Sequence, residues 1–163
     1  MTQLARSHRS QPKRRRRRIE FTPIESSGYL IRDAHRAFQH HLAQRIAPFG
    51  VTRGQWYFLR VLWTEDGLSQ RELSKRVGMT EPTTVVALKS MERSGLIRRV
   101  RKVHDKRSAE VWLTSKAKRL QNTLLPIART ITEDAAAGIT QDDFETFRTV
   151  IVQMTENLDR LKD

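Results

Sequence analysis

The chain contains no cysteine, which excludes disulfides, thiol nucleophiles, cysteine-ligated zinc and any thiol redox switch. No apolar run approaches the ~18 to 20 residues that a membrane span needs, and no apolar block follows the basic N-terminus as it would in a secretory signal. A cytoplasmic protein with no membrane partner is therefore expected. Internal repeats are missing, and no glycine-rich loop suited to cradling phosphate occurs among the seven glycines. No Ser/His/Asp set is apparent, and His35, His40, His41 and His104 lack a metal-binding spacing. The expectation is a protein that is not an enzyme, with no catalytic residue, no metal and no cofactor. Acid is scarce as well. Lys and Arg number 31 against 18 Asp and Glu, a net charge of +13, so the partner should be an anion, of which nucleic acid is the commonest.

The 163 residues are enough for one domain with its own core. Arg6, Arg9, Lys13 and Arg14 to Arg18 supply eight positive charges with no acid among them, so the body from Ile19 onward is only moderately basic. Residues 1–20 lack apolar periodicity and are expected to be a disordered arginine-rich arm. Such an arm can be a solubilising tail, can bind acidic lipid, or can lie along DNA phosphates and in the minor groove. The last of these is preferred because it extends a footprint argued from other residues.

That footprint centres on Leu68 to Thr114. Ser69-Gln70-Arg71-Glu72 has the form of a capping box, with Leu68 and Leu73 placed as a hydrophobic staple. Gly78 suits a left-handed helix end, and Thr80 caps a second helix with Pro82 in its first turn. Two helices about three residues apart have helix-turn-helix spacing. From Glu81 to about Ser94 the helical wheel turns Thr84, Leu88 and Met91 inward, with Ala87 beside them. It turns Thr83, Val86, Lys89, Ser90 and Arg93 outward. In a major groove Val86 can meet a thymine methyl, Thr83 and Ser90 can reach base edges or phosphates, and Lys89 and Arg93 can neutralise the backbone. Isolated exposed valines are also common on ordinary surfaces. Leu96 to Val103 and Ala109 to Leu113 then form a hairpin signal around His104-Asp105-Lys106-Arg107-Ser108. Six cations, among them Arg99, Arg101 and Lys106, stand there against the two acids Asp105 and Glu110. Placed beside the helix, the hairpin tip would bring Arg107 to the minor groove with Asp105 orienting it.

The flanks are helical. Leu30, Ile31, Ala34, Phe38, Leu42 and Ile46 form one stripe of a helix from Ser27 to Phe49. His41 and Arg45 on that stripe read as a dimer contact or satisfied core polar groups, or alternatively as the lining of a pocket for an acidic ligand. Thr52-Arg53-Gly54-Gln55 is a second capping box, opening the helix Trp56 to Trp63, which is apolar on nearly every side except at Arg60. Its aromatic residues suit a core, or a cavity walled by Trp56 and Tyr57. Thr114 caps a long helix with a kink expected near Pro126. Thr140 caps a last one, in which Phe144, Phe147, Ile151, Met154, Leu158 and Leu161 recur as a seam. The expected fold is mainly α with a small β-hairpin wing, a winged helix-turn-helix whose N- and C-terminal helices form a dimerisation domain. Its parts are the arm at 1–20, an N-terminal dimerisation helix at 21–50, the winged helix-turn-helix at 51–114 and C-terminal dimerisation helices at 115–163.

These residues together resemble the MarR family of winged-helix transcription regulators. The likeness runs from about Gly28 to the end. It is carried by Val51-Thr52 with Gln55-Trp56, by Ser69 to Leu73, by Thr80 to Val85 leading to Met91 through Ile97, and by Asp105-Lys106-Arg107-Ser108 with Leu113-Thr114. Val86 and Ala117 depart from it, standing where a basic residue and a glycine are common. The resemblance implies a homodimer on a pseudo-palindromic operator in double-stranded DNA, and repression relieved by a small, often aromatic and acidic ligand. The expected DNA contacts are Ser69, Gln70, Thr80, Pro82, Thr83, Val86, Lys89, Ser90, Arg93, Arg99, Arg101, Asp105, Lys106 and Arg107. His41, Arg45, Trp56 and Arg60 are the candidates for binding the effector, an anionic aromatic compound or an acyl-CoA. The alternative is a non-specific nucleic-acid-coating or architectural protein that uses the arginine-rich arm. Deleting residues 1–18 separates the two in a salt titration of DNA binding. A specific reader should keep its palindrome with a shallower salt slope, and a coater should lose most binding.

Overall fold

The computed structural model describes residues 26–101 and 109–162. Helix α1 (Ser27–Ile46) ends in the short 3-10 turn Ala47–Phe49, where Pro48 has no N–H to continue the helix. There follow α2 (Arg53–Thr64), the two-residue strand β1 (Leu68–Ser69), α3 (Gln70–Val77), α4 (Glu81–Arg93), β2 (Ile97–Arg101), β3 (Ala109–Leu113), α5 (Ser115–Ala135) and α6 (Gln141–Asp159). The chain divides at Ala34 into two units. In the first, Tyr29, Leu30 and Ile31 are exposed, and the Arg32 guanidinium lies over the Tyr29 ring at 4.3 Å.

The second unit holds the core. Its caps form where local chemistry places them. Thr52 and Gln55 bond reciprocally at 3.0 and 3.3 Å, and Ser69 and Glu72 do so at 2.8 and 3.2 Å. Leu68 and Leu73, on either side of the second cap, are both buried as a staple requires. Phe58, Leu59 and Leu62 of α2 are enclosed together with Leu73, Leu88, Met91, Leu96 and Leu124. Trp63 joins α2 to α5 by donating Nε1–H to the Ala117 carbonyl at 3.0 Å. The α5 helix runs through Pro126 without a break. No α6 residue is buried, and Phe147, Val150, Val152, Leu158 and Leu161 are all exposed. None of the described helices is long and apolar enough to cross a membrane.

The sheet has three strands in the order β1-β3-β2, not the two of a simple hairpin. In β2 and β3, Ile97 faces Leu113 and Arg99 faces Val111 in antiparallel register, while β1 adds Leu68 opposite Val111 and Ser69 opposite Glu110. Two residues are too short to show periodicity. They become a strand because the turn before them is fastened to β3: Asp66 Oδ1 accepts from Leu113 N at 2.8 Å, and Gly67 N donates to Val111 O at 3.1 Å. Gly67 has φ +78, and a Cβ there would fall 2.5 Å from the Trp112 ring. Gly67→Ala therefore combines a left-handed backbone with overpacking. It should cost about 2 to 4 kcal/mol, read as a lower midpoint in chemical denaturation with an unchanged m-value.

Candidate nucleic-acid interface

Helix α4 starts where Thr80 caps it, with Pro82 in the first turn and a 2.9 Å contact between the Thr80 and Thr83 hydroxyls. Thr84, Leu88 and Met91 are fully buried, so the inward face is as the wheel divides it. Thr80, Pro82, Thr83, Val86, Lys89 and Arg93 are exposed, with Val86 at 67%. Ser90 corrects that division. It is half-buried, and its hydroxyl accepts from Gln55 Nε2 at 3.1 Å, on the flank that turns toward α2.

Ser69, Gln70 and Arg99 come together around a cavity of about 440 Å³, which Arg71, Glu81 and Ala109 also line. The Ser69 hydroxyl is occupied in capping α3. Arg99 is a second correction. It lies on the sheet face shared with buried Val111, with Nε 3.7 Å from Glu92 Oε2. Its Nε and Nη2 are buried without a hydrogen-bond partner, so it does not project from the wing. Arg71, exposed in the first turn of α3, was not among the candidates. Its position directly after Ser69-Gln70 was the available signal. The side chain of Arg101, and all of Asp105, Lys106 and Arg107, lie outside the described residues.

Of the four effector candidates only Trp56 and Arg60 come together. His41 is exposed, and Arg45 is exposed and paired with Asp134 at 2.9 Å. Arg60 stands 5.7 Å from the centroid of Trp56 as a cation–π contact. Trp56 alone lines a cavity, of about 170 Å³, with Phe38, Gln39, Leu42, Ala128 and Ile131. Gln39 is 9% exposed, and its Oε1 has no hydrogen-bond partner. Its place three residues before Leu42 and seven before Ile46 puts it on the inward stripe, a signal the sequence carried. Nearby, burial pushes the Tyr57 hydroxyl above its usual pKa range, partly offset by Arg53, so it stays a neutral phenol.

Residues 49–108 match the model of the MarR family. The chain is 28% identical to the HTH-type transcriptional regulator TtmR of Methylorubrum extorquens (strain PA1) over 130 residues, 80% of this chain and 66% of that protein, just under two thirds of its length. The crystal structure of a MarR transcriptional regulator from Methanosarcina mazei Go1 superposes with a TM-score of 0.76 at 29% identity, covering 82% of this chain and 90% of the other. The fold is also that of MepR of S. aureus, solved as a DNA complex, with a TM-score of 0.75 at 24% identity over 82% of this chain and 98% of that one. With its capped helix pair, its three-stranded sheet and these relatives, the chain is similar to the MarR family of winged-helix transcription regulators, whose model matches residues 49–108.

Proposed function

We propose that the protein is a homodimeric, sequence-specific repressor that reads a pseudo-palindromic operator through α4 and is released by a small aromatic acid. The observation that carries this reading is the division of α4. Thr84, Leu88 and Met91 are sealed into the core, while Thr83, Val86, Lys89 and Arg93 stand in solvent on the opposite side. A short helix held by one narrow face and offering hydroxyl, methyl and cationic groups on the other suits a major groove. MepR, which shares the fold, is solved on DNA. The arginine arm and the wing residues Arg101, Asp105, Lys106 and Arg107 would extend the contact to phosphates and the minor groove.

Dimerisation is supported by Phe147 and Leu158 of α6 and by Leu161 in the 3-10 turn that follows it, which stand in water at seam spacing. A second copy would cover them and place two α4 helices about one DNA turn apart. For the effector, the Trp56 cavity of about 170 Å³ is close to the ~150 Å³ that admits a benzene ring. One aromatic ring would fill it. A CoA thioester could insert only its acyl group and would leave the nucleotide outside.

Selection of bound sequences from a random duplex pool should return one short palindrome. Recovery of no consensus would remove the specific-reader reading. On that site Val86→Ala should change the preference at one base pair, whereas Lys89→Ala should weaken all sequences alike and reduce the salt slope by about one. In the cavity, Gln39→Met removes a buried acceptor without a partner. It should raise stability by roughly 1 kcal/mol, seen as a higher denaturation midpoint.

A further inference from the structure

The amide of Gln55 joins two helices. Its side chain is 3% exposed. Oε1 accepts from Thr52 N at 3.0 Å, and Nε2 donates to Ser90 Oγ at 3.1 Å and Ser94 Oγ at 3.4 Å. The first bond closes the α2 capping box. The other two reach across to α4, where no cap requires them.

Helix α4 has reason to need them. At ~100° per residue, Thr84, Leu88 and Met91 span only about 60° of its circumference, against the 100° or more of an ordinary core-facing stripe. The short side chain of Ala87 is the one partly buried apolar group beside them on the Ser90 flank. Packing on so narrow a stripe sets how deep the helix sits but resists rotation about its own axis weakly. Ser90 lies about 40° from Val86 on the wheel, and Ser94 about 40° further toward the core. Bonds at these two positions act where a rotation would be felt, directly beside the reading face. We propose that Gln55 is a positioning residue for DNA recognition, which fixes the rotation of α4 through Ser90 and Ser94 and so aims Thr83, Val86 and Lys89. This rests on the reading of α4 as the DNA-contacting helix.

The test uses the full-length chain, a selected palindrome, a random duplex and a thermal melt. Gln55→Met and Ser90→Ala should each lower affinity for the palindrome about tenfold with random-duplex affinity unchanged, since each removes a buried hydrogen bond. The double variant should be no worse than Gln55→Met alone, because loss of the Gln55 amide already breaks the bond to Ser90. Ser90→Thr, which keeps the hydroxyl, should restore the palindrome. Thr52→Ala, which opens the α2 cap and leaves the link to α4, should lower the melting temperature while the ratio of the two affinities stays constant. Multiplying losses in the double variant would make Ser90 a direct DNA contact and overturn the proposal. An equal loss of specificity in Thr52→Ala would overturn it in favour of general loosening. If the wild-type chain selects no palindrome, the DNA-reading assignment itself fails, an outcome distinct from both.

Discussion

Trp56, Phe58, Leu59 and Leu62 are all buried along α2, and at ~100° per residue they span about 160° of its circumference, wider than an ordinary core-facing stripe, so more than one element must cover the helix. Each such side chain contributes about 1.5 to 3 kcal/mol when fully buried, so α2 is where the helix pair α3–α4 and α5 are held to one another. The polar bonds from this helix follow the same pattern. Trp63 reaches the start of α5, and Gln55 reaches the far end of α4. Trp56, the residue after Gln55, walls the small cavity. One turn of α2 therefore carries both a cavity wall and the hydrogen bonds that touch α4.

Against this enclosed centre, the exposed regions differ in chemistry. The outer face of α4 is small, polar and cationic apart from Val86, which suits an anionic polymer with methyl groups in its groove. The face of α6 is apolar and uncovered, which water does not stabilise. The first is chemically suited to a polar, anionic surface and the second to an apolar one. Charge divides the chain similarly, since much of the excess lies in the N-terminal arginines and the wing strands, while Arg45 and Arg76 on the helical body are neutralised by Asp134 and Glu65.

The helix-turn-helix was legible because it is written in local terms. Ser69 with Glu72, Thr52 with Gln55, Gly78 and Thr80 act within four residues of themselves, and no distant contact is needed to predict what they do. The burial of Thr84, Leu88 and Met91 followed from helical period alone. The third strand was not legible, because Leu68–Ser69 becomes a strand only when Asp66 and Gly67 are fastened to β3 more than forty residues later. Of the effector candidates only Trp56 and Arg60 came together, for a related reason. Trp56 lines the cavity and Arg60 lies over its ring, but Arg45 is paired with Asp134 and His41 is exposed, while Gln39 supplies the buried polar group of the cavity.

By itself, the sequence determined the absence of cysteine chemistry, the order of helices, their caps and the inward face of α4, since composition and short-range periodicity suffice for these. The tertiary structure alone decided where the flanking polar groups point. Ser90 and Arg99 each sit at the edge of a face, within reach of either solvent or a neighbour. A hydrogen-bond donor such as Gln55, or the sheet face shared with Val111, turns them inward. Periodicity assigns a residue to a face, but at a boundary between faces the partner across the fold makes the choice, and that partner is remote in the chain.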